Sequence, residues 1–125
     1  MKALITGASS GIGKDMAIEL SKRGYDLILV ARSRKELEQV QKELSTNSMI
    51  ITSDLSNHDN CFALYNQVKN EDIDIFINNA GFGVFGEFVS TSLDTELSMI
   101  KLNISAVHIL TKLFLQDFIK KDRSC

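Results

Sequence analysis

The sequence has no proline, no tryptophan, only two cysteines in 125 residues and almost no imbalance of charge. A formal net charge of −2 gives no electrostatic case for nucleic acid or an anionic membrane surface. Cys61 and Cys125 form no ligand spacing with each other or with His58 and His108, so neither a zinc site, nor any other metal centre, nor a disulfide framework is indicated. That points to a reducing, cytoplasmic setting. Long apolar runs are also missing at the start: the chain passes from Met1-Lys2 into a short run that stops at Thr6-Gly7. This is too short for a signal-peptide core or a membrane span, and the expectation is a mature chain that begins at residue 1 and has no membrane partner. For the complete absence of proline we have no physical account. What remains is ordinary for one soluble domain with a modest core, with 44% hydrophobic and 24% charged residues.

Short apolar runs alternate with segments of helical period. The runs are Ala3 to Ile5, Leu27 to Ala31, Met49 to Thr52 and Ile73 to Ile77, each nearly continuous, as in strands buried on both faces. Between the first two, Ile12, Met16, Ala17 and Leu20 recur at helical spacing, and Gly24 follows as a terminator. Leu37, Val40 and Leu44 mark a second helix, and Phe62, Ala63, Leu64, Tyr65 and Val68 a third. The alternation predicts an α/β fold with a parallel sheet covered by crossover helices. After the glycine- and phenylalanine-rich stretch GFGVFGEF, a long helix is predicted. Thr91 and Ser92 are its candidate caps, and Leu97, Ile100, Ile104, Val107, Leu110, Phe114 and Phe118 recur along it. Ile109, Leu113, Leu115 and Ile119 widen the stripe beyond one core-facing band. The second apolar neighbour is either a partner subunit or structure that this chain does not supply.

The stretch TGASSGIGK, from Thr6 to Lys14, sits between two phosphate-binding patterns. A triphosphate loop, G-x-x-x-x-G-K-[ST], would need glycine at Ala8 and a hydroxyl at Asp15. A dinucleotide turn needs glycines that let a strand turn tightly into a helix whose amides face a pyrophosphate. Gly7, Gly11 and Gly13 stand between the first strand and the first helix, spaced G-x-x-x-G-x-G. A purely structural strand-to-helix turn would use the same residues.

The segment from Thr6 to Gly13 closely resembles the T-G-x-x-x-G-[IL]-G fingerprint of the short-chain dehydrogenases/reductases. Three further segments resemble that family in the same order. They are Asp54-Leu55-Ser56 after the third strand, Asn78-Asn79-Ala80-Gly81 closing the fourth, and Asn103 in KLNIS. The resemblance implies a Rossmann-like, doubly wound sheet of about four strands in the order 3-2-1-4. It implies a dinucleotide held by Gly7, Ser9, Ser10, Gly11, Ile12 and Gly13, by Asp54 and Leu55 at the adenine, and by Asn79, Ala80 and Gly81. Asn103 falls where the family places the asparagine of its catalytic tetrad. Asp54 also has the alternative of capping the third helix.

The end of the second strand bears on the choice of dinucleotide. Arg32 stands 19 positions after Gly13, close to the ~20 at which an acid receives the ribose hydroxyl in NAD enzymes. The segment reads Ala31-Arg32-Ser33-Arg34, without an acid. A guanidinium fork at Arg32 and the hydroxyl or amide of Ser33 suit a 2′-phosphate, so NADP is expected in preference to NAD.

The family transfers hydride between nicotinamide and a small-molecule carbonyl or alcohol, with a tyrosine as general acid/base, a lysine in Y-x-x-x-K and a serine. Tyr65 to Lys69 has that spacing, but it precedes the Asn79-Ala80-Gly81 segment and lies on one stripe with Cys61, Leu64 and Val68. We read it as unrelated to catalysis. Residues 1–125 therefore resemble an incomplete NAD(P)-binding domain lacking the C-terminal catalytic half, inactive alone. An uncovered edge at the fourth strand and an under-covered long helix predict a homo-oligomer. A dinucleotide-binding module without chemistry is the rival reading. Phe82, Phe85 and Phe88 are candidates for the substrate mouth or for packing.

Overall fold

The computed structural model describes residues 1–83 and 86–121; Phe85 and Cys125, named above, lie outside them. Four parallel strands, β1 (Lys2–Thr6), β2 (Asp26–Ala31), β3 (Ser48–Thr52) and β4 (Ile75–Ile77), form one sheet in the order β3-β2-β1-β4. Ala3 pairs with Leu27 on one side and Ile75 on the other. Alternation along the strands sends successive side chains to opposite faces. Leu4, Ile28, Val30 and Ile51 enter one apolar cluster, while Ala3, Ile5, Leu27 and Leu29 enter a second. Both faces are covered, which is why the strands read as continuous apolar runs.

The helices divide between the faces. Ala17 from α1 (Gly11–Lys22) and Leu37 and Val40 from α2 (Arg34–Gln41) cover the second cluster. The first is covered by Cys61, Leu64 and Val68 of α3 (His58–Val68) and by Leu110 and Phe114 of α5 (Val107–Phe118). Phe76 of β4 stacks on Phe114, with ring centroids 4.4 Å apart. The arrangement is a Rossmann-like doubly wound sheet. β4 pairs only with β1, so it is an edge strand among the described residues. It is also shorter than the apolar run suggests. Ile73 is buried, but Asp74 beside it is turned to the start of β1, where Oδ2 accepts the Lys2 amide at 3.0 Å.

The sheet-facing stripe of α1 differs from the one its hydrophobicity predicts. Ile12 is 66% exposed and Met16 40% exposed, whereas Gly13, Ala17 and Ser21 are buried. The stripe at i, i+4 and i+8 is made of small residues, because the helix leaves β1 through a tight turn and runs too close to the sheet for larger ones. Likewise on α3, Phe62 and Ala63 point outward while Cys61 is buried.

The long helix is not uniform. A short 3-10 turn (Phe88–Ser90) precedes α4 (Leu93–Ile100), which is capped by Ser92 Oγ accepting the Thr95 amide. A π-helical segment (Lys101–Ala106) then joins α4 to α5. A turn closed by i→i+5 bonds takes an extra residue, so the apolar phase slips across it. Leu97, Ile100 and Ile104 consequently face solvent while Ala106, Leu110 and Phe114 face the core. By length and composition alone, the 26 residues Leu93–Phe118 include a stretch apolar enough to cross a membrane, a property that core helices of α/β domains share.

One polar contact ties the outer elements together. Ser21, 2% exposed, uses its hydroxyl to accept the amides of Ser45 (2.9 Å) and Thr46 (3.1 Å) from the α2–β3 connection. Ser21→Ala leaves two amides without their acceptor at the cost of one methyl-sized change. Urea denaturation is expected to show a loss of about 1–3 kcal/mol; a loss below ~0.5 kcal/mol would show that water replaces the hydroxyl.

Candidate functional site

The helix after β1 lies on one face of the sheet and the helix chain after β4 on the other. At the C-terminal ends of these two adjacent strands the connections part and leave a crevice, the position at which open α/β sheets bind ligands. The cleft there has a volume of about 700 Å³. It is lined by Gly7, Ser9, Ser10, Ile12, Arg32, Ser33, Asp54, Leu55, Asn79, Ala80 and Gly81, eleven of the residues anticipated from the sequence. Gly11 and Gly13 shape the turn without lining it.

Three hydrogen bonds hold the floor of the cleft. Thr6 Oγ1 accepts the amides of Asn79 (2.9 Å) and Ala80 (3.0 Å), bending the chain after β4 over the end of β1. Asn79 Nδ2 donates to the Gly7 carbonyl at 3.2 Å. Its neighbour Asn78 points the other way, with Nδ2 donating to the Val107 carbonyl at 3.4 Å. The asparagine doublet thus ties β4 to the first turn on one side and to the long helix on the other. Gly13 is required by contact: a Cβ there would lie 2.2 Å from the Gly7 carbonyl oxygen. Gly7 and Gly11 have φ of +65° and +56°, values that glycine adopts without strain. These glycines let α1 begin flush with the cleft, a position in which helix N-terminal amides can receive an anion. The cradle therefore fits a dinucleotide pyrophosphate.

Lys14 takes no part, since its ammonium lies 3.2 Å from Glu43 Oε2 and it does not line the cleft; the geometry gives the triphosphate reading no support. Asp54 does not cap α3. Asn57 does, accepting the Asp59 amide at 2.9 Å. Asp54 Oδ1 instead accepts the hydroxyl (2.7 Å) and amide (3.1 Å) of Ser56. The Ser56 hydroxyl draws its pKa below the ordinary carboxylate value against the opposing effect of desolvation, and the Ser56 amide and the Arg32 cation pull the same way. A ready acceptor thus stands on the cleft wall. Ser33 Oγ is already used as the α2 cap, accepting the Glu36 amide at 3.3 Å.

Asn103 lies in the π-helical segment, outside the cleft lining, where its amide grips the chain after Gly81. Nδ2 donates to the Phe82 carbonyl at 2.6 Å, and Oδ1 accepts the Phe82 amide at 3.0 Å. A Cβ on Gly81 would come within 2.8 Å of Oδ1, so Gly81 and Asn103 are fitted to each other. Phe82 and Leu102 complete the cleft wall, while Phe88 is exposed on the 3-10 turn. Sequence reasoning missed Thr6, Leu102 and Glu36 as site residues. A hydroxyl closing an otherwise apolar strand was the available signal for Thr6; Leu102 and Glu36 carried none beyond their nearness to Asn103 and Arg32.

No Tyr, Lys, His or Cys lines the cleft among the described residues. Tyr65 and Lys69 line a separate cavity of about 410 Å³ near Ile73, at the opposite ends of the strands. There the Tyr65 hydroxyl donates to Asp117 Oδ2 at 2.7 Å, and its ring meets Phe114 edge-on. That bond, with desolvation and the Asp117 charge, raises the Tyr65 pKa above its usual value. Because the folded pKa is raised, the stabilisation is complete below the unfolded value of ~10 and is lost as pH rises through the folded one. Tyr65→Phe is expected to unfold more easily at pH 8, with the gap to the parent closing at alkaline pH. A gap independent of pH would show that the contribution is not linked to ionisation of the hydroxyl, and no gap at pH 8 would show that the hydroxyl contributes nothing.

A family model described as short chain dehydrogenase matches residues 1–124. The chain is 32% identical over 126 residues to hydroxysteroid dehydrogenase-like protein 1 from Gallus gallus, covering 95% of this chain and 38% of that protein. A metagenomic short-chain oxidoreductase in complex with NADP superposes with a TM-score of 0.92 at 29% identity, covering 99% of this chain and 59% of that one. A short-chain dehydrogenase from Sphingobium yanoikuyae in complex with NADPH gives 0.87 at 32% identity, covering 95% and 48%. This chain thus spans between about a third and three fifths of the proteins it matches. With the glycine turn, the asparagine doublet and the sheet order in agreement, the chain belongs to the short chain dehydrogenase family.

Proposed function

We propose that the chain is the cofactor-binding part of an NADP-dependent oxidoreductase acting on a small-molecule carbonyl or alcohol. The observation that carries the reading is Arg32, placed on the cleft wall at the end of β2 where NAD enzymes carry an acid. Two neighbours in complex with NADP and NADPH support it. Bound there, the dinucleotide would donate hydride to a carbonyl or accept it from an alcohol. The residues of this chain hold and orient it: the first turn of α1 receives the pyrophosphate, Arg32 and Ser33 the 2′-phosphate, and Asp54 with Leu55 the adenine. Asn103 keeps Phe82 in place on the wall.

The second reading, a dinucleotide-binding module without chemistry, is favoured by the lack of a tyrosine or lysine in the described cleft lining. On either reading, residues 1–125 alone turn over no substrate. Cysteines without a pairing pattern support a cytoplasmic setting. The core contacts of Leu110 and Phe114 support reading the long helix as a layer of the fold and not as a membrane span. Its outer stripe of Leu93, Leu97, Ile100, Ile104, Leu115 and Ile119 is exposed, and with the β4 edge it supports self-association.

Isothermal titration with NADP and NAD tests the cofactor. Arg32→Ala is expected to weaken NADP about tenfold and NAD less than about threefold, and equal affinity of the parent for both would remove the role given to Arg32. In size-exclusion chromatography the chain is expected to elute as a dimer or larger, and a monomer at high concentration would remove the self-association.

A further inference from the structure

The adenosine end of the cleft carries a second charged group near Arg32. Ser33-Arg34-Lys35-Glu36 has the spacing of a helix capping box, and Ser33 Oγ accepts the Glu36 amide at 3.3 Å. The cap fixes Glu36 in the first turn of α2, where it lines the cleft together with Arg32, Ser33 and Asp54. Of the other charges of this corner, Asp54 and Arg34 already have partners within the chain, and Asp54 also feels the Arg32 cation. Asp54 is held by Ser56, and Arg34 lies 3.8 Å from Glu38. Among the described residues the Glu36 carboxylate has neither an ion pair nor a side-chain hydrogen bond. It is an uncommitted acceptor on a residue that lines the corner where the adenosine ribose must sit if Arg32 meets its 2′ substituent.

The two possible 2′ substituents meet that carboxylate in opposite ways. A ribose hydroxyl is a donor that a carboxylate accepts, as the acid at the end of β2 does in NAD enzymes. A 2′-phosphate carries about two negative charges, repels the carboxylate and competes with it for Arg32. We propose that Glu36 is a specificity-determining residue that opposes Arg32. It restores, from one turn inside α2, an acid that the end of β2 lacks, and so holds the preference for the 2′-phosphate below what Arg32 alone would set. This inference rests on the reading of Arg32 as the 2′-phosphate ligand.

The test compares adenosine 5′-phosphate with adenosine 2′,5′-bisphosphate, which differ only in the 2′ group and need only this corner of the cleft. Titrating the whole 125-residue chain, Glu36→Gln, which keeps the capping spacing, is expected to tighten the bisphosphate about three- to tenfold. The monophosphate should be unchanged or weaker. Glu36→Lys should move the ratio of the two affinities further in the same direction, and thermal melting of each variant checks that α2 is intact. A ratio within twofold of the parent for both folded variants overturns the proposal. Arg32→Ala in the same assay separates the two claims. If it leaves bisphosphate affinity unchanged, the Arg32 reading falls and this inference with it. If it weakens the bisphosphate while the Glu36 variants leave the ratio alone, only Glu36 loses its role.

Discussion

The cleft depends on one close approach, between the turn that follows β1 and the chain that follows β4. Gly13 packs against the Gly7 carbonyl, the Asn79 amide reaches the same carbonyl, and Thr6 gathers the next two amides under its hydroxyl. None of these contacts is large in energy, three being hydrogen bonds of ordinary net worth and the fourth a packing contact. Together they set the distance between two strand ends, and every lining residue inherits its position from that distance. Burial of Thr6 inside the sheet keeps water from competing for the amides it holds.

The same constraint reaches into the packing. A helix that starts flush against β1 can present only small residues to the sheet, hence Gly13, Ala17 and Ser21, and its larger apolar residues turn outward. Ser21 then serves a second purpose, since a buried hydroxyl among small neighbours is free to hold the α2–β3 connection. On the opposite face no such limit applies, and Phe76, Phe114 and Tyr65 fill the space with rings.

Much of this was legible in the sequence. Continuous apolar runs gave all four strands, because a strand covered on both faces has no polar alternation to conceal it. The glycine turn and the asparagine doublet were legible because their backbone demands leave few residue types possible. What the sequence obscured lay where the local pattern has two solutions. Ile12 and Met16 satisfy helical period as well as Ala17 does, and only the tightness of the turn decides between them. Asp54 and Asn57 are both good caps, and the choice between them was settled by Ser56, which holds the Asp54 carboxylate. The π-helical segment is invisible to periodicity, which sees an apolar stripe on either side of the slip. Glu36 reads as a capping-box acid, and only the fold brings it to the cleft.

The grip of Asn103 on Phe82 uses a side-chain amide in the role of a peptide group, offering one donor and one acceptor in the pattern by which a neighbouring strand would hold an extended chain. The segment leaving β4 is therefore fastened sideways to a helix instead of lengthwise to a sheet. A wall fastened in this way has little conformational freedom left to surrender when a ligand arrives, so the entropy of ordering it has already been spent in folding.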